Sequence, residues 1–136
     1  MSAQLLAGLR LLVVEDEAMI AMALEDLLGS LGCVVVDVAG TVSRGVALAN
    51  CTSLTIDGAI LDVNLGGEKV YPVAESLAAR GVPFVFCTGY GPGGLAKGFD
   101  HVPTLAKPYE PQQLEDLLIS TMIDPSPYRP PGGGAP

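Results

Sequence analysis

The chain has 136 residues, 49% of them apolar, and a formal net charge of −8. That length suits one domain with a core of its own, and the acidic balance, with 7 Lys and Arg scattered along the chain, argues against nucleic acid or an anionic membrane as a direct partner. Cys33, Cys51 and Cys87 are odd in number, widely spaced and without a CxxC pair, which points to reduced thiols in a reducing compartment rather than disulfides or zinc.

Residues 1–8 read as an N-terminal extension. The opening stretch MSAQLLAGLRLLVV is short for a membrane span, is interrupted by Gly8 and Arg10 and has no signal-cleavage pattern, so a cytoplasmic protein is expected. LRLLVVE (9–15) is a continuous apolar strand. A helix follows from Glu17, with Ile20, Leu24, Leu27, Leu28 and Leu31 on one face, and Gly32 ends it. CVVVDVA (33–39) is a second strand, and 42–51 a helix weakened by Gly45. GAILDV (58–63) is a third strand. Val70, Val73, Ala74, Leu77 and Ala78 then fall at helical spacing, with Pro72 tolerated in the first turn. VPFVFCT (82–88) is a fourth strand and HVPTLAK (101–107) a fifth, with Pro103 indicating an edge position. The last helix starts at Pro111 and sets Leu114, Leu117, Leu118 and Met122 on one face. From Asp124 the run DPSPYRPPGGGAP reads as a disordered Pro/Gly-rich tail (124–136), too short for an output domain.

Strands alternating with helices predict right-handed β-α-β units and a parallel sheet covered on both faces. Burial on both faces explains why the strand runs are continuously apolar. Ligands of such sheets bind beyond the carboxyl ends of the strands. Glu15 and Asp16 end the first strand, Asp62 the third, Thr88 the fourth and Lys107 the fifth, so all five converge on one edge.

Clustered carboxylates at the end of a core strand are costly. Two of them about 4 Å apart repel by roughly 4 kcal/mol at an effective dielectric of about 20. Glu15, Asp16 and Asp62 are hard oxygen donors of the kind Mg2+ takes, and a cation would remove the repulsion. Asp62, alone at its strand end, is placed to attack a phosphoryl group as a carboxylate nucleophile. The Thr88 hydroxyl and the Lys107 ammonium would then bind phosphoryl oxygens. Glu17 is explained by the favourable dipole at a helix N-terminus, Gly66 and Gly67 by turn geometry, and Cys87 and His101 by packing and structure.

The segments VVEDE, AILDV, FCTG and LAKPY, in this order and spacing, resemble the receiver domain of two-component response regulators over residues 9–123. The resemblance implies a flavodoxin-like three-layer α/β/α sandwich with a five-stranded parallel sheet in the order 2-1-3-4-5. It makes Asp62 the phosphoacceptor, Glu15 and Asp16 the acidic pair, and the backbone carbonyl of Asn64 a further metal ligand. Thr88 becomes the switch hydroxyl, Lys107 the phosphate-pairing cation, and Lys107–Pro108 a cis peptide. The implied cofactor is Mg2+, for which Mn2+ can substitute.

PFVFCTGYG and LDVNLGGE are similar to single-domain regulators of alphaproteobacteria whose fourth strand ends Phe-Ala-Thr-Gly-x-Tyr, which adds Gly89 and Tyr90 to the switch residues. Two departures from ordinary receivers stand out. Thr104 occupies the place of the aromatic switch residue, and the glycine-rich stretch 91–100 makes the fourth helix short or disordered. The expected function is a stand-alone receiver, a signalling phosphoacceptor rather than a classical enzyme. Its donor is a histidine kinase or phosphotransfer protein, and it acts by phosphorylation-dependent partner binding or as a phosphoryl relay or sink. A degenerate, phosphorylation-independent interaction module is the first alternative. A haloacid-dehalogenase-like phosphatase is the second, disfavoured because Asn64 stands where a second acid is needed.

Overall fold

A computed structural model describes residues 5–89 and 95–123 of the chain. In chain order the elements are β1 (Arg10–Val14), α1 (Ala18–Ser30), β2 (Val34–Ala39), α2 (Val42–Ala49), β3 (Gly58–Asp62), β4 (Asn64–Leu65), β5 (Glu68–Lys69), α3 (Tyr71–Ala79), β6 (Phe84–Thr88), β7 (Thr104–Ala106) and α4 (Pro111–Leu118). A π-helical turn, Ile119–Ile123, extends α4.

Five strands pair in parallel in the order β2-β1-β3-β6-β7. This is the expected 2-1-3-4-5 order once β4 and β5, a separate antiparallel hairpin, are set aside. Alternate residues of each central strand face opposite sides. Leu12, Val14, Leu61 and Phe86 pack with Leu48 and Ala49 of α2 and with Val73, Ala74 and Leu77 of α3. Leu11, Val13, Ile60, Val85 and Cys87 pack with Leu24 and Leu28 of α1 and with Leu114 and Leu118 of α4. The result is the flavodoxin-like three-layer sandwich. Every residue of β3 is buried, whereas β2, at the sheet edge, buries Ala39 alone.

Local chemistry sets the helix starts. The Thr41 hydroxyl accepts from the Arg44 N–H at the head of α2. Pro72 sits in the first turn of α3, and Pro111 opens α4 behind a reciprocal cap between Glu110 and Gln113. The fifth strand is shorter than its apolar run, because residues 95–102 close successive turns (Phe99 N–H to Ala96 C=O, Val102 N–H to Phe99 C=O) before pairing begins.

Residues 95–103 contain no helix, in line with the glycine-rich composition of the stretch. They are nonetheless held. The Ala96 N–H donates to the Tyr71 hydroxyl at 2.9 Å, and the Tyr71 ring stacks on Phe99 with centroids 5.0 Å apart. The expected loose loop is therefore anchored over this half. Its other part, Tyr90–Gly94, lies outside the described residues, as do Met1–Gln4 and the tail 124–136. Among the described residues, no helix is long and apolar enough to cross a membrane.

Candidate functional site

Parallel register aligns the strand ends. Val14 is level with Leu61, Asp62 with Cys87, and Thr88 with Ala106. The residues that follow, Glu15 and Lys107, therefore flank Asp62 and Thr88 along one edge. Two backbone bonds fix the flanks: Glu15 N–H to Ala39 C=O at 2.9 Å, and Lys107 N–H to Thr88 C=O at 2.8 Å. Glu15, Asp62 and Thr88 are the polar residues that the described chain buries. Asp16 is exposed beside them.

The charges are tightly set. Lys107 Nζ lies 3.2 Å from Glu15 Oε1 and 3.4 Å from Asp62 Oδ2. Burial, and then the neighbouring Glu15 carboxylate, push the Asp62 carboxyl up to about 6, against the opposing pull of Lys107. Burial alone would lower the pKa of Lys107, but Asp62 and Glu15 outweigh it and hold the ammonium above its ordinary value. Cys87, on the strand level with Asp62, is pushed up to about 12 by burial and is an inert packing thiol.

One carboxylate oxygen from each of Glu15, Asp16 and Asp62 lies within 4.8 Å of the others. Hard oxygen donors at such separations, one of them open to solvent, fit a small divalent cation that keeps several waters. The fit gives a testable expectation. Mg2+ at about ten times its Kd should stabilise the folded protein by about 1.4 kcal/mol, raising Tm by roughly 3–6 °C for a domain of this size. Asp16→Asn should shrink that response, and thermal melts with and without Mg2+ measure it. An undiminished response would remove Asp16 from the ligand set.

A cleft of about 350 Å3 at this edge is lined by Asp16, Glu17, Asp62, Asn64, Gly66, Gly89 and Lys107. Asn64 and Gly89 thus line the cleft beside Asp62, and Lys107–Pro108 is a cis peptide. Tyr90 lies outside the described residues. Thr104 is cross-strand from Phe86 and turns its hydroxyl to the Val102 carbonyl at 2.9 Å, so no ring occupies that place. His101 is exposed.

Two features escaped the sequence pattern. The hairpin β4–β5 was legible only as a pair of turn glycines. The other feature is an apolar groove of about 640 Å3 between α1 (Met19, Ile20, Ala23, Leu24, Leu27) and the segment Lys107, Pro108, Tyr109 and Pro111. It holds no carboxylate and is not the chemical site, although Lys107 lines both hollows. Its signal was an excess of apolar residues around α1: Met19 and Met22, outside the buried face, are 83% and 63% exposed.

No family profile matches the chain. Among solved structures it is similar to SdrG from Sphingomonas melonis Fr1, at 45% identity and a TM-score of 0.70, with 88% of this chain and 98% of that one covered. The REC domain of the PhyR response regulator from Erythrobacter litoralis is 25% identical with a TM-score of 0.73, over 84% of this chain and 89% of that domain. The phyllosphere-induced regulator PhyR of Methylorubrum extorquens is 34% identical over 118 residues, which are 83% of this chain and 43% of that regulator's length. This chain belongs to the receiver domains of response regulators, beside SdrG and the corresponding part of PhyR.

Proposed function

We propose that the chain is a Mg2+-dependent phosphoacceptor that takes a phosphoryl group onto Asp62 from a histidine kinase or phosphotransfer protein. The observation that carries this reading is the placement of Asp62: a buried carboxylate at a strand end, within 4.8 Å of two further acids and 3.4 Å from the Lys107 ammonium. An Asp62 oxygen attacks phosphorus, the P–O bond forms, and the P–N bond to the donor imidazole breaks. The leaving nitrogen is protonated from solvent. In the reverse sense of signalling, water attacks phosphorus, inorganic phosphate leaves and the Asp62 carboxylate returns.

Glu15, Asp16, Asp62 and the Asn64 carbonyl would hold the cation, which when bound offsets phosphoryl charge. Lys107 is poised to exchange its contact with Asp62 for a phosphoryl oxygen, and Thr88, buried one residue past the level of Asp62 on the neighbouring strand, would supply its hydroxyl from the same strand edge. The apolar groove that opens beside Lys107 gives a protein donor a surface to rest on while its phosphorylated side chain enters the cleft. The modified protein then acts by binding a partner or by passing the group on.

Incubation with acetyl phosphate and Mg2+ tests the reading. The expected result is the mass gain of one phosphoryl group, lost on standing and absent when EDTA replaces Mg2+. No uptake would leave a phosphorylation-independent interaction module. Rapid turnover of a generic phosphomonoester would favour a phosphatase.

A further inference from the structure

Asn64 and Gly66, in the hairpin Asn64–Lys69, line a part of the cleft that the strand edges do not explain. Asn64 pairs with Lys69 and Leu65 with Glu68 around the two-residue loop Gly66-Gly67. Both glycines have positive φ, 58° and 97°, as the type I′ turn of a tight hairpin requires. Such a turn makes its flanking residues, Leu65 and Glu68, a hydrogen-bonded pair. Two residues further back the Val63 carbonyl also points into the hairpin, accepting from the Val70 N–H at 2.9 Å, while the Val63 N–H turns to the Cys87 carbonyl of the main sheet. Asn64 and Lys69 lie between and are the non-hydrogen-bonded pair, with backbone N–H and C=O pointing out of the hairpin.

The Asn64 carbonyl is therefore free of the ladder, and Asn64 lines the acidic cleft. Leu65, Val63 and Val70 are buried, which anchors the hairpin to the core in this register. The turn also backs the acids directly, since a Cβ on Gly66 would lie 3.6 Å from Asp16 Oδ2.

We propose that Gly66 and Gly67 are positioning residues for the divalent cation: their turn type sets the hairpin register that presents the Asn64 carbonyl to Glu15, Asp16 and Asp62. A different turn would slip the register, and a slip of one residue exchanges the inward and outward backbone groups. The inference rests on the reading of the acidic cleft as a cation site.

The test is the Mg2+ affinity of the full chain, from titrations followed by amide resonances, beside the metal-free Tm. A Cβ on Gly67 would meet nothing within 4 Å, so Gly67→Ala acts through the backbone alone. It should weaken Mg2+ binding by about tenfold or more, the range seen when the support of a metal ligand is lost. Gly66→Ala should do the same, whereas Gly66→Asn, which supplies the Asn-Gly pair this turn favours, should lose less affinity than Gly66→Ala. Gly81 also has positive φ with open space around it, but it lies before β6 at the opposite sheet edge. Gly81→Ala should lower Tm and leave Mg2+ affinity alone.

Wild-type affinity in Gly67→Ala, equal losses in Gly81→Ala, or a loss in Gly66→Asn matching that in Gly66→Ala would each overturn the proposal. A wild-type protein that does not bind Mg2+ would instead bring down the cation-site reading itself, and the inference with it.

Discussion

Asp62→Asn is expected to abolish phosphoryl uptake and, in the same protein, to raise the stability of the metal-free fold. The first effect follows because an amide cannot serve as the carboxylate nucleophile. The second follows from the cost of holding a buried charge beside Glu15. Asp62 keeps its proton up to about pH 6 in the folded protein, against an ordinary value of 3.8. Because the folded state holds the proton to higher pH than the unfolded chain, this group takes stability away as pH rises from about 4 to about 6. The full cost, on the order of 2–3 kcal/mol, stands above that window and vanishes below it. Asn carries no charge at any pH. The gap between variant and wild type should therefore open across the same window, in favour of the variant, in urea unfolding with EDTA. Equal stabilities at pH 8 would mean that the Asp62 charge is not costly. Phosphoryl uptake by the variant would place the acceptor elsewhere.

Much of this site was legible because it depends on strand ends, which apolar runs mark well. A run such as Leu11–Val14 stops where the chain leaves the core, and in a parallel sheet the ends of all such runs share an edge. What the runs do not encode is pairing across the chain. Lys107 was read as a ligand for phosphoryl oxygens, yet without that group it pairs with Glu15 and Asp62, a contact created only by folding. Nothing in the sequence pattern singles out Tyr71. Its stack on Phe99 and its bond from Ala96 exist because β6 lies between two distant segments, with Phe86 edge-on to the Tyr71 ring. Asn64–Lys69 is too short for period-two patterning to appear, and the Gly-Gly turn was its sole trace.

Lys107→Met should separate the two duties of that ammonium. The methionine keeps the aliphatic bulk of the stem and removes the charge, leaving Glu15 and Asp62 without the group now 3.2 Å and 3.4 Å away. Removing one partner of a buried pair costs 3–5 kcal/mol. The Lys107 side chain is 23% exposed, and solvent discounts the loss to about 2 kcal/mol. If the loss comes from unneutralised carboxylates, Mg2+ should recover more stability in the variant than in wild type, because a second source of positive charge is worth more where the first is missing. Melts with and without Mg2+ measure this, and equal Mg2+ gains in the two proteins would assign the loss to packing instead. The second duty is transmission. Lys107 follows β7 directly and its N–H is bonded to the Thr88 carbonyl, so an ammonium drawn to a phosphoryl oxygen pulls on β7. Under acetyl phosphate and Mg2+, wild-type amide resonances of Thr104–Ala106 should move, whereas Lys107→Met should gain the phosphoryl mass with those resonances unmoved. Matching shifts in both proteins would reduce Lys107 to a structural charge and place the transmission in Thr88.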